Sequence, residues 1–411
     1  MYFRTMSTAN YFIELEDKYG AHNYHPLPVV IAKGQGVHVW DVDGKQYLDF
    51  LSAYSAVNQG HCHPKIIKAL QDQSQTLTLT SRAFHNNVLG GYEKFITEYF
   101  GYDRVLPMNT GVEGGETAIK LARKWGYEVK RIPKNQAHVL FAEGNFWGRT
   151  IAAISSSDDE DSYGNFGPYV PNFSNIPYND VSALENALKA NPNVCAFMVE
   201  PIQGEAGVIV PDEGYLKSVR DLCTQYNVLF IADEVQTGIG RTGRLTCCDH
   251  EGVKPDLLIL GKALGGGVFP VSCVLGSDEV MLTIKPGQHG STFGGNPLAC
   301  AVAMAALQVV TDEKLSENAE QLGVIFRNRM SKMNLPMVSL VRGKGLLNAI
   351  KIEPFGNGIK AWDLCIKMRD NGLLAKQTHE HIIRFAPPLV ITEVQIHEAC
   401  DIIENSLKEL M

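Results

Sequence analysis

The stretch Val228-Leu-Phe-Ile-Ala-Asp-Glu-Val-Gln236 joins five apolar residues directly to two carboxylates and an amide. A short, continuous apolar run is typical of a strand that is buried on both faces. Helix-like segments separate this run from others of the same kind, and that alternation predicts an α/β fold with a mostly parallel sheet covered by helices. The other runs are His138–Ala142, Val194–Val199, Leu257–Leu260 and Val271–Leu275, and the helical segments include Val181–Lys189 and Gly214–Tyr226.

The chain has 411 residues, which is too long for one compact core, so more than one domain is expected. We expect an N-terminal segment of strands over residues 1–45 that packs with a small domain. A large domain is expected over residues 46–300, and a small α+β domain over residues 301–411. The elements expected after residue 297 are a helix Leu298–Val310, a strand Gly345–Ile352, a helix Ile359–Asn371, a strand Ile382–Phe385 and a helix from Thr392.

Composition excludes several classes of protein. The net charge is −8, from 45 acidic and 37 basic side chains, which argues against nucleic-acid and anionic-membrane partners. The longest apolar run, Leu298 to Leu307, is too short to span a bilayer, which takes about 20 residues. Nine cysteines without a CxxC pair indicate a reduced intracellular protein. The expected compartment is the cytoplasm, or the mitochondrial matrix if a leader has been removed.

Reactive side chains follow the strands of the predicted sheet. Ligands of open α/β sheets bind beyond the carboxyl ends of the strands, so these side chains should share one site. Their mixture of aromatic, acidic and basic groups suits an anionic, aromatic cofactor that a lysine holds as an imine. The segments after successive strands are Asn145–Arg149, Glu200–Glu205, Asp233–Gln236 and Gly261–Lys262.

Each of these features has a simpler interpretation. Lys262 should have a lowered pKa if apolar groups surround it, but it could equally extend from the strand end into solvent. Asp233 could pair with a protonated pyridine nitrogen, cap a helix or join an ion pair. The helix predicted after Asn109 could bind phosphate at its amino end, or Thr110 could merely cap it.

Three motifs are decoys. Gly238-Ile-Gly-Arg-Thr-Gly243 matches the GxGxxG dinucleotide pattern, which would suggest a nicotinamide oxidoreductase. That pattern should join a strand directly to a helix, and here five residues separate the strand from the first glycine. His61-Cys-His63 and Cys247-Cys-Asp-His250 have metal-binding residue types without a second ligand pair, so no metal site is expected.

Several long motifs occur together in one order. With the residues above, they resemble the class-III, pyridoxal-phosphate-dependent aminotransferases over essentially the whole chain, and the ornithine-specific branch in particular. The resemblance implies a fold-type-I transferase that works as a homodimer with shared active sites. The motifs are Ser52–Pro64, Asn109–Tyr127, Val199–Pro211, Val228–Gly243 with Lys262, and Gly290–Pro297.

The resemblance also implies a role for each site residue. Lys262 would hold pyridoxal 5′-phosphate and move the reacting proton, and Asp233 would pair with the ring nitrogen. Gln236 would bond the ring hydroxyl, and Phe146 would stack on the ring. Thr110, Gly111 and Val112 would bind the phosphate, and Ser291 and Thr292 would contact the cofactor of the neighbouring subunit. Tyr24, Tyr54 and Arg149 would bind the α-amino and α-carboxylate end of ornithine. Glu205 would form a switchable ion pair with Arg384.

The implied reaction transfers the δ-amino group of L-ornithine to 2-oxoglutarate through a pyridoxamine form of the cofactor. It yields L-glutamate and glutamate 5-semialdehyde, which cyclises to pyrroline-5-carboxylate. The alternatives within the family are acetylornithine and 4-aminobutyrate aminotransferases, against which the phenols of Tyr24 and Tyr54 argue. A non-catalytic cofactor-binding protein is disfavoured because the lysine, the aspartate and the ion pair are all present.

Overall fold

The computed structural model describes residues 8–353 and 358–411, and its strands alternate with helices through most of the chain. The strands are β1 Ile31–Gln35, β2 His38–Asp41, β3 Gln46–Asp49, β4 Arg104–Met108, β5 His138–Ala142, β6 Phe173–Ile176, β7 Val194–Val199, β8 Leu229–Asp233, β9 Leu257–Leu260, β10 Ser272–Gly276, β11 Val338–Lys344, β12 Leu347–Ile352, β13 Leu373–Leu374, β14 Lys376–Thr378 and β15 Ile382–Phe385. They form three sheets, with the orders β1-β2-β3-β13, β4-β10-β9-β8-β7-β5-β6 and β11-β12-β15-β14.

The helices range from single turns to eighteen residues. Two short 3₁₀ helices, Cys248–Glu251 and Lys262–Gly265, accompany them. The helices are α1 Thr8–Tyr19, α2 Ser52–Ser55, α3 Pro64–Ser74, α4 Leu89–Phe100, α5 Gly111–Glu128, α6 Ile151–Ile154, α7 Glu160–Tyr163, α8 Val181–Ala190, α9 Tyr215–Gln225, α10 Asp278–Met281, α11 Pro297–Asp312, α12 Leu315–Lys332, α13 Ala361–Asp370 and α14 Glu393–Leu410. None of those described is long and apolar enough to cross a membrane.

The seven-stranded sheet is mostly parallel, as the sequence predicts. Strands β9, β8, β7, β5 and β6 pair in parallel, and β10 alone runs antiparallel to its neighbours β9 and β4. Every residue of β7 to β10 is buried because the sheet separates two cores. In β8, for example, Phe230 enters one core, whereas Leu229 and Ile231 enter the other.

The carboxyl ends of β5, β7, β8 and β9 meet at one edge of this sheet. The predicted bounds of β5, β7 and β9 are confirmed, and β8 begins one residue later than predicted. Asp233 is therefore the last residue of β8 rather than the first residue after it. Parallel neighbours end at the same edge, so the segments that begin at Glu143, Glu200, Glu234 and Gly261 lie side by side.

The C-terminal region is mixed α and β, as predicted, with three additional strands, β11, β13 and β14. The strand predicted from Gly345 begins at Leu347, because Val338–Lys344 forms an unpredicted antiparallel hairpin with it. The predicted strand Ile382–Phe385 is confirmed, and Thr392 caps the terminal helix by accepting the N–H of Gln395. Residues 354–357 of the expected small domain lie outside the described residues.

The expectation that the first 45 residues form strands is partly wrong. Residues Thr8–Tyr19 are a helix, because their apolar side chains recur at Tyr11, Leu15 and Tyr19, one helical turn apart. Strands begin at Ile31, and β3 pairs in parallel with Leu373–Leu374 from the C-terminal part. Residues 1–7 lie outside the described part of the chain, and the division into domains stays a prediction.

Arg241 explains the GxGxxG decoy. Its side chain is fully buried and donates to Asn58 Oδ1 and to the carbonyl oxygens of Leu346 (3.0 Å) and Pro387 (2.6 Å). Burial lowers the pKa of Arg241 to about 9, so the side chain is still charged at neutral pH. The last glycine, Gly243, has a φ of +99°, and a Cβ there would lie 2.9 Å from Glu320 Cβ. The pattern therefore serves packing in this loop.

Candidate active site

Two buried carboxylates and one partly buried lysine converge at the carboxyl edge of the large sheet. They are Glu200 directly after β7, Asp233 at the end of β8, and Lys262 in the 3₁₀ helix after β9. Lys262 is held in a left-handed conformation, with a φ of +44°. The structure thus brings together two residues that the sequence predicts, and adds Glu200.

Lys262 is partly buried and lines a cavity at this edge of the sheet. Burial lowers its pKa, and the charge of Arg384 acts in the same direction, while Glu205, Asp233 and Glu200 oppose both. A lowered pKa raises the fraction of neutral amine at neutral pH, which is the form that can attack a carbonyl or accept a proton. This is the direction that the sequence predicts.

Asp233 is a buried carboxylate, 6% exposed. One of its oxygens accepts the N–H of Val235 at 3.0 Å. Burial raises the pKa of Asp233 to about 6, against the opposing effects of that hydrogen bond and of Lys262. The described contacts leave its other oxygen available to a cationic or hydrogen-bond-donating partner in the site.

Glu200 is the site residue that the sequence reasoning did not select. Its carboxylate accepts the N–H groups of Phe146 (3.0 Å) and Gly204 (3.2 Å), and so holds the loops after β5 and β7 together. Burial and the nearby charge of Asp233 raise its pKa to about 8. Its position directly after an apolar strand could have identified it as a site residue, because a similar position identified Asp233.

The amino end of α5 lies beside this cluster. Thr110 caps the helix in a capping box with Glu113, whose carboxylate accepts the Thr110 N–H at 2.8 Å, so the capping that the sequence suggested is present. A Cβ on Gly111 would lie 2.9 Å from Val235 Cγ1, so only glycine lets the helix start approach the loop after β8 this closely. Ser291 Oγ accepts a hydrogen bond from Asn109 Nδ2 at 2.9 Å.

Glu205, Arg384 and Gln236 form a connected polar cluster. Arg384 is 3% exposed and donates from Nη1 to Glu205 Oε1 at 2.8 Å. Gln236 donates to the same carboxylate oxygen at 3.1 Å and accepts from Arg384 at 3.2 Å. Burial alone would raise the pKa of Glu205, but Arg384 and Lys262 outweigh it and the net pKa is lowered. The predicted ion pair is formed in the structure.

Tyr54 lies beside the ion pair on an unusual turn. The guanidinium carbon of Arg384 is 5.1 Å from the centre of the Tyr54 ring. All four residues of α2, Ser52 to Ser55, have positive φ (+48°, +47°, +61° and +71°), and none is glycine. The left-handed conformation costs about 1–2 kcal/mol per residue, so the surrounding contacts must stabilise this turn.

The remaining predicted residues lie at the surface of the site. Arg149 is exposed, and its guanidinium carbon is 5.5 Å from the centre of the Phe146 ring. Tyr24 is 72% exposed and shares with Tyr54 the wall of a cavity of roughly 530 Å³. Thr292 is exposed. A second cavity of roughly 390 Å³ is lined by Thr110, Gly111 and Lys262, and Ala53 of the left-handed turn borders both cavities.

The two histidines of the decoy motif His61-Cys-His63 are engaged by carboxylates. His61 Nε2 lies 2.7 Å from Asp49 Oδ2, and His63 Nε2 lies 3.1 Å from Glu313 Oε1. Within residues 8–353 and 358–411, no group of three or more His, Cys, Asp or Glu side chains is arranged to hold a metal ion.

The buried carboxylates predict a pH dependence of stability. Glu200 binds its proton more tightly in the folded chain, where its pKa is about 8, than at its ordinary value of 4.5. The cofactor-free protein should therefore lose stability as the pH rises from 4.5 to about 8. Thermal melting followed by circular dichroism across this range measures the effect, and Glu200→Gln should flatten the dependence.

Glu205→Gln is the matched control for this measurement. The pKa of Glu205 is lowered, so the stability that it contributes is present above its ordinary pKa of 4.5 and is lost only below it. The control should keep the wild-type slope between pH 4.5 and about 8. A Glu200→Gln variant with an unchanged slope would contradict the assignment to Glu200.

Comparisons with known proteins agree with this geometry. The chain matches the family model for class-III aminotransferases over residues 19–407. It is 65% identical over 392 residues to the mitochondrial ornithine aminotransferase of Drosophila melanogaster, covering 95% of this chain and 90% of the relative. The ornithine aminotransferase structure from Toxoplasma gondii ME49 superposes with a TM-score of 0.96 at 52% identity, covering 99% and 96% of the two chains. An acetylornithine aminotransferase from Elizabethkingia anophelis superposes with a TM-score of 0.90 at 58% identity, covering 98% and 100%.

Proposed function

The chain belongs to the class-III aminotransferases, and from that premise we propose that its site transfers the δ-amino group of L-ornithine to 2-oxoglutarate. The products are L-glutamate and glutamate 5-semialdehyde, which cyclises to pyrroline-5-carboxylate. High identity to an ornithine aminotransferase over nearly the whole chain supports this activity.

The residues of the site fit pyridoxal phosphate, on which class-III aminotransferases depend. When bound, the cofactor supplies an electron sink for the bonds broken at the substrate carbon. The fit rests on three features of this chain. A lysine with a lowered pKa lies beside a buried carboxylate, the carboxylate has an uncommitted oxygen, and Gly111 lets a helix start open into the same cavity.

Lys262 and Asp233 would perform the central tasks. Lys262 Nζ would hold the cofactor and then move the proton at the substrate carbon, since burial keeps part of the amine neutral. The Asp233 carboxylate would accept a hydrogen bond from the protonated ring nitrogen, and that positive charge would keep Asp233 ionised despite its raised pKa. Glu200 would hold the loop that carries Phe146 at the correct height for stacking on the ring.

The amino end of α5 would bind the phosphate. The backbone N–H groups of Gly111 and Val112 are in the first turn of the helix, where the helix dipole favours an anion. The Thr110 hydroxyl is at the same end, within the capping box. We place Gln236 beside the ring hydroxyl, where Glu205 and Arg384 hold its amide in position.

The observation that carries the assignment of the reacting δ-amine is the ion pair between Glu205 and Arg384. An unpaired arginine near the reacting carbon would attract the α-carboxylate of any amino acid, and ornithine would then react at its α-amine. With Arg384 neutralised by Glu205 at 2.8 Å, ornithine instead presents its δ-amine. Its α-amino and α-carboxylate groups would bind Tyr54, Tyr24 and Arg149 at the outer cavity.

The direct test is an assay of the purified protein with ornithine and 2-oxoglutarate. Pyrroline-5-carboxylate and glutamate should form together, and omission of either substrate should stop turnover. N-acetylornithine tests the alternative activity within the family. The similarity to the acetylornithine aminotransferase from Elizabethkingia anophelis supports that alternative. We expect ornithine to be preferred because Tyr54 and Tyr24 can bond a free α-amino or carboxylate group. Preference for N-acetylornithine would overturn the substrate assignment within the family.

We also propose that the active unit is a homodimer in which Ser291 and Thr292 reach the phosphate of the neighbouring subunit's cofactor. Thr292 is exposed in the single chain, and Phe293 beside it is 52% exposed. Sedimentation should show two chains per particle, and Thr292→Ala should weaken cofactor binding by about tenfold to a hundredfold, the size of one lost hydrogen bond to a charged group. A fully active monomer would contradict the shared site.

The compartment belongs to the same proposal. The reduced cysteines predict an intracellular protein, and we keep the cytoplasm as the expected location, although the relative from Drosophila melanogaster is a mitochondrial protein. Fractionation of the source cells, with the assay above as the readout, distinguishes the two compartments.

A further inference from the structure

The left-handed turn Ser52–Ser55 needs support beyond its own backbone hydrogen bonds, such as that from Ala56 N–H to Ser52 O at 2.9 Å. Its four positive φ angles occur without glycine or asparagine, the residues that tolerate this conformation best. The hydroxyls of Ser52 and Ser55 are buried and have no hydrogen-bond partner within the described part of the chain. Side chains from neighbouring segments supply further stabilising contacts.

Asp49 supplies the first of these contacts. This residue ends β3 and is 8% exposed. Its Oδ1 atom accepts the backbone N–H groups of Leu51 and Ser52, each at 2.9 Å, which fixes the chain as it enters the turn. The Asp49 N–H in turn donates to Val37 O at 2.9 Å, so the carboxylate is anchored to the β1–β2 region.

His61 supplies the second contact, from the other end of the same segment. Its Nε2 lies 2.7 Å from Asp49 Oδ2, the oxygen that Leu51 and Ser52 do not use. Its backbone exchanges two hydrogen bonds with Gly36, at 2.8 and 3.0 Å. Its ring packs so closely on Gly34 that a Cβ there would lie 2.8 Å from it. The imidazole is therefore held in one place and holds Asp49 in turn.

We infer that Asp49 and His61 are positioning residues for substrate recognition, because together they fix the left-handed turn that holds Tyr54 against Arg384. The inference rests on the proposed function for the role of Tyr54. The larger cavity is lined by Asp49, Ala53, Tyr54 and His61. The pair that supports the turn, Asp49 and His61, therefore lies in the same cavity wall as Tyr54, which would recognise the substrate.

The pair should affect one substrate more than the other. Tyr54 is proposed to contact the α-amino and α-carboxylate end of ornithine, whereas 2-oxoglutarate engages Arg384. A loosened turn would move the Tyr54 hydroxyl without removing Arg384, which β15 carries. A general structural role would instead raise both Michaelis constants, or lower the amount of folded enzyme.

The experiment is a double-mutant cycle on the holoenzyme. His61→Leu should raise KM for ornithine about tenfold, as expected for one lost hydrogen bond to a charged group, and change KM for 2-oxoglutarate less than about twofold. In a Tyr54→Phe background, which already lacks the hydroxyl, the same substitution should have less than about a twofold effect. Asp49→Asn, which keeps the Oδ1 acceptor, is the milder second variant and should fall between these values.

His63→Leu is the matched control, because His63 belongs to the same motif but bonds Glu313. It should leave both Michaelis constants near their wild-type values. Equal increases for both substrates with His61→Leu, or the same increase with and without the Tyr54 hydroxyl, would overturn the inference.

Amide hydrogen exchange tests the turn independently of the reaction. In His61→Leu the amides of Leu51 and Ser52 should exchange faster, while those of β7 should not change. Unchanged exchange at Leu51 and Ser52 would refute the positioning role even if ornithine is the substrate. Conversely, wild-type enzyme inactive towards ornithine would refute the proposed function alone, because the exchange result would still stand.

Discussion

Lys262→Ala is expected to lower the rate of transamination by at least about 10³-fold, because we propose that this one amine performs both the covalent and the proton-transfer steps. Asp233 and Glu200 cannot replace it. Their pKa values are raised, but they remain carboxyl groups, and a carboxyl group cannot form an imine with the cofactor. The amino end of α5 and Asp233 remain, so cofactor binding should be weakened rather than abolished. Single-turnover rates with ornithine, followed by cofactor absorbance, measure the loss.

Two comparisons make this result specific. Lys130 is another lysine whose pKa burial lowers, but it donates to the carbonyls of Val194 and Tyr226 away from the site, so Lys130→Met should retain turnover per folded molecule. Added methylamine should restore part of the activity of Lys262→Ala by supplying a small free amine. Turnover at the wild-type rate without added amine would show that Lys262 is not the catalytic lysine.

Glu205→Ala is expected to raise the half-reaction rate with glutamate relative to ornithine by roughly tenfold to a hundredfold. The substitution leaves the buried Arg384 without its carboxylate partner, so an incoming α-carboxylate no longer competes with Glu205. A partly desolvated, charge-assisted contact of this kind is worth roughly 1.5–3 kcal/mol, which gives that ratio. Some ornithine should then react at its α-amine.

The two half-reactions can be measured separately by single-turnover absorbance, and product analysis identifies which ornithine amine reacts. Glu353→Ala removes an exposed pair with Lys351 at 3.0 Å and serves as the matched control, with no expected change in the ratio. If Glu205→Ala keeps the wild-type ratio, the ion pair is structural, and regiochemistry depends on Tyr54 and Arg149.

The central sheet and its site were predictable because burial leaves a strong record in sequence. Val194–Val199 and Leu257–Leu260 are covered on both faces, so every position is apolar. The polar residues that come next, Glu200 and Lys262, mark the carboxyl edge of the sheet. The hairpin strand Val338–Lys344 was missed because it is only partly buried and contains Ser339, Arg342 and Lys344. Its pairing with β12 depends on a tertiary contact that no local pattern records.

The geometry around Tyr54 was not predictable from local sequence. Ser52-Ala-Tyr-Ser55 contains no residue that favours positive φ, and the conformation follows from Asp49 and His61 at either side of it. Glu200 was missed for another reason. Glu200 directly follows an apolar run, as Asp233 does. The family resemblance, however, assigns a role to Glu205 in the same segment and none to Glu200.

The buried Arg241 has a consequence for how the molecule denatures. Its partners Asn58, Leu346 and Pro387 are 183, 105 and 146 residues away in sequence, and all of them offer neutral oxygens. If the C-terminal segment unfolded first, the guanidinium would stay in the core without two of its carbonyl partners, and an uncompensated buried charge costs several kcal/mol. Unfolding of the C-terminal segment alone is therefore unfavourable. The large sheet and the C-terminal sheet should melt together, as one cooperative transition.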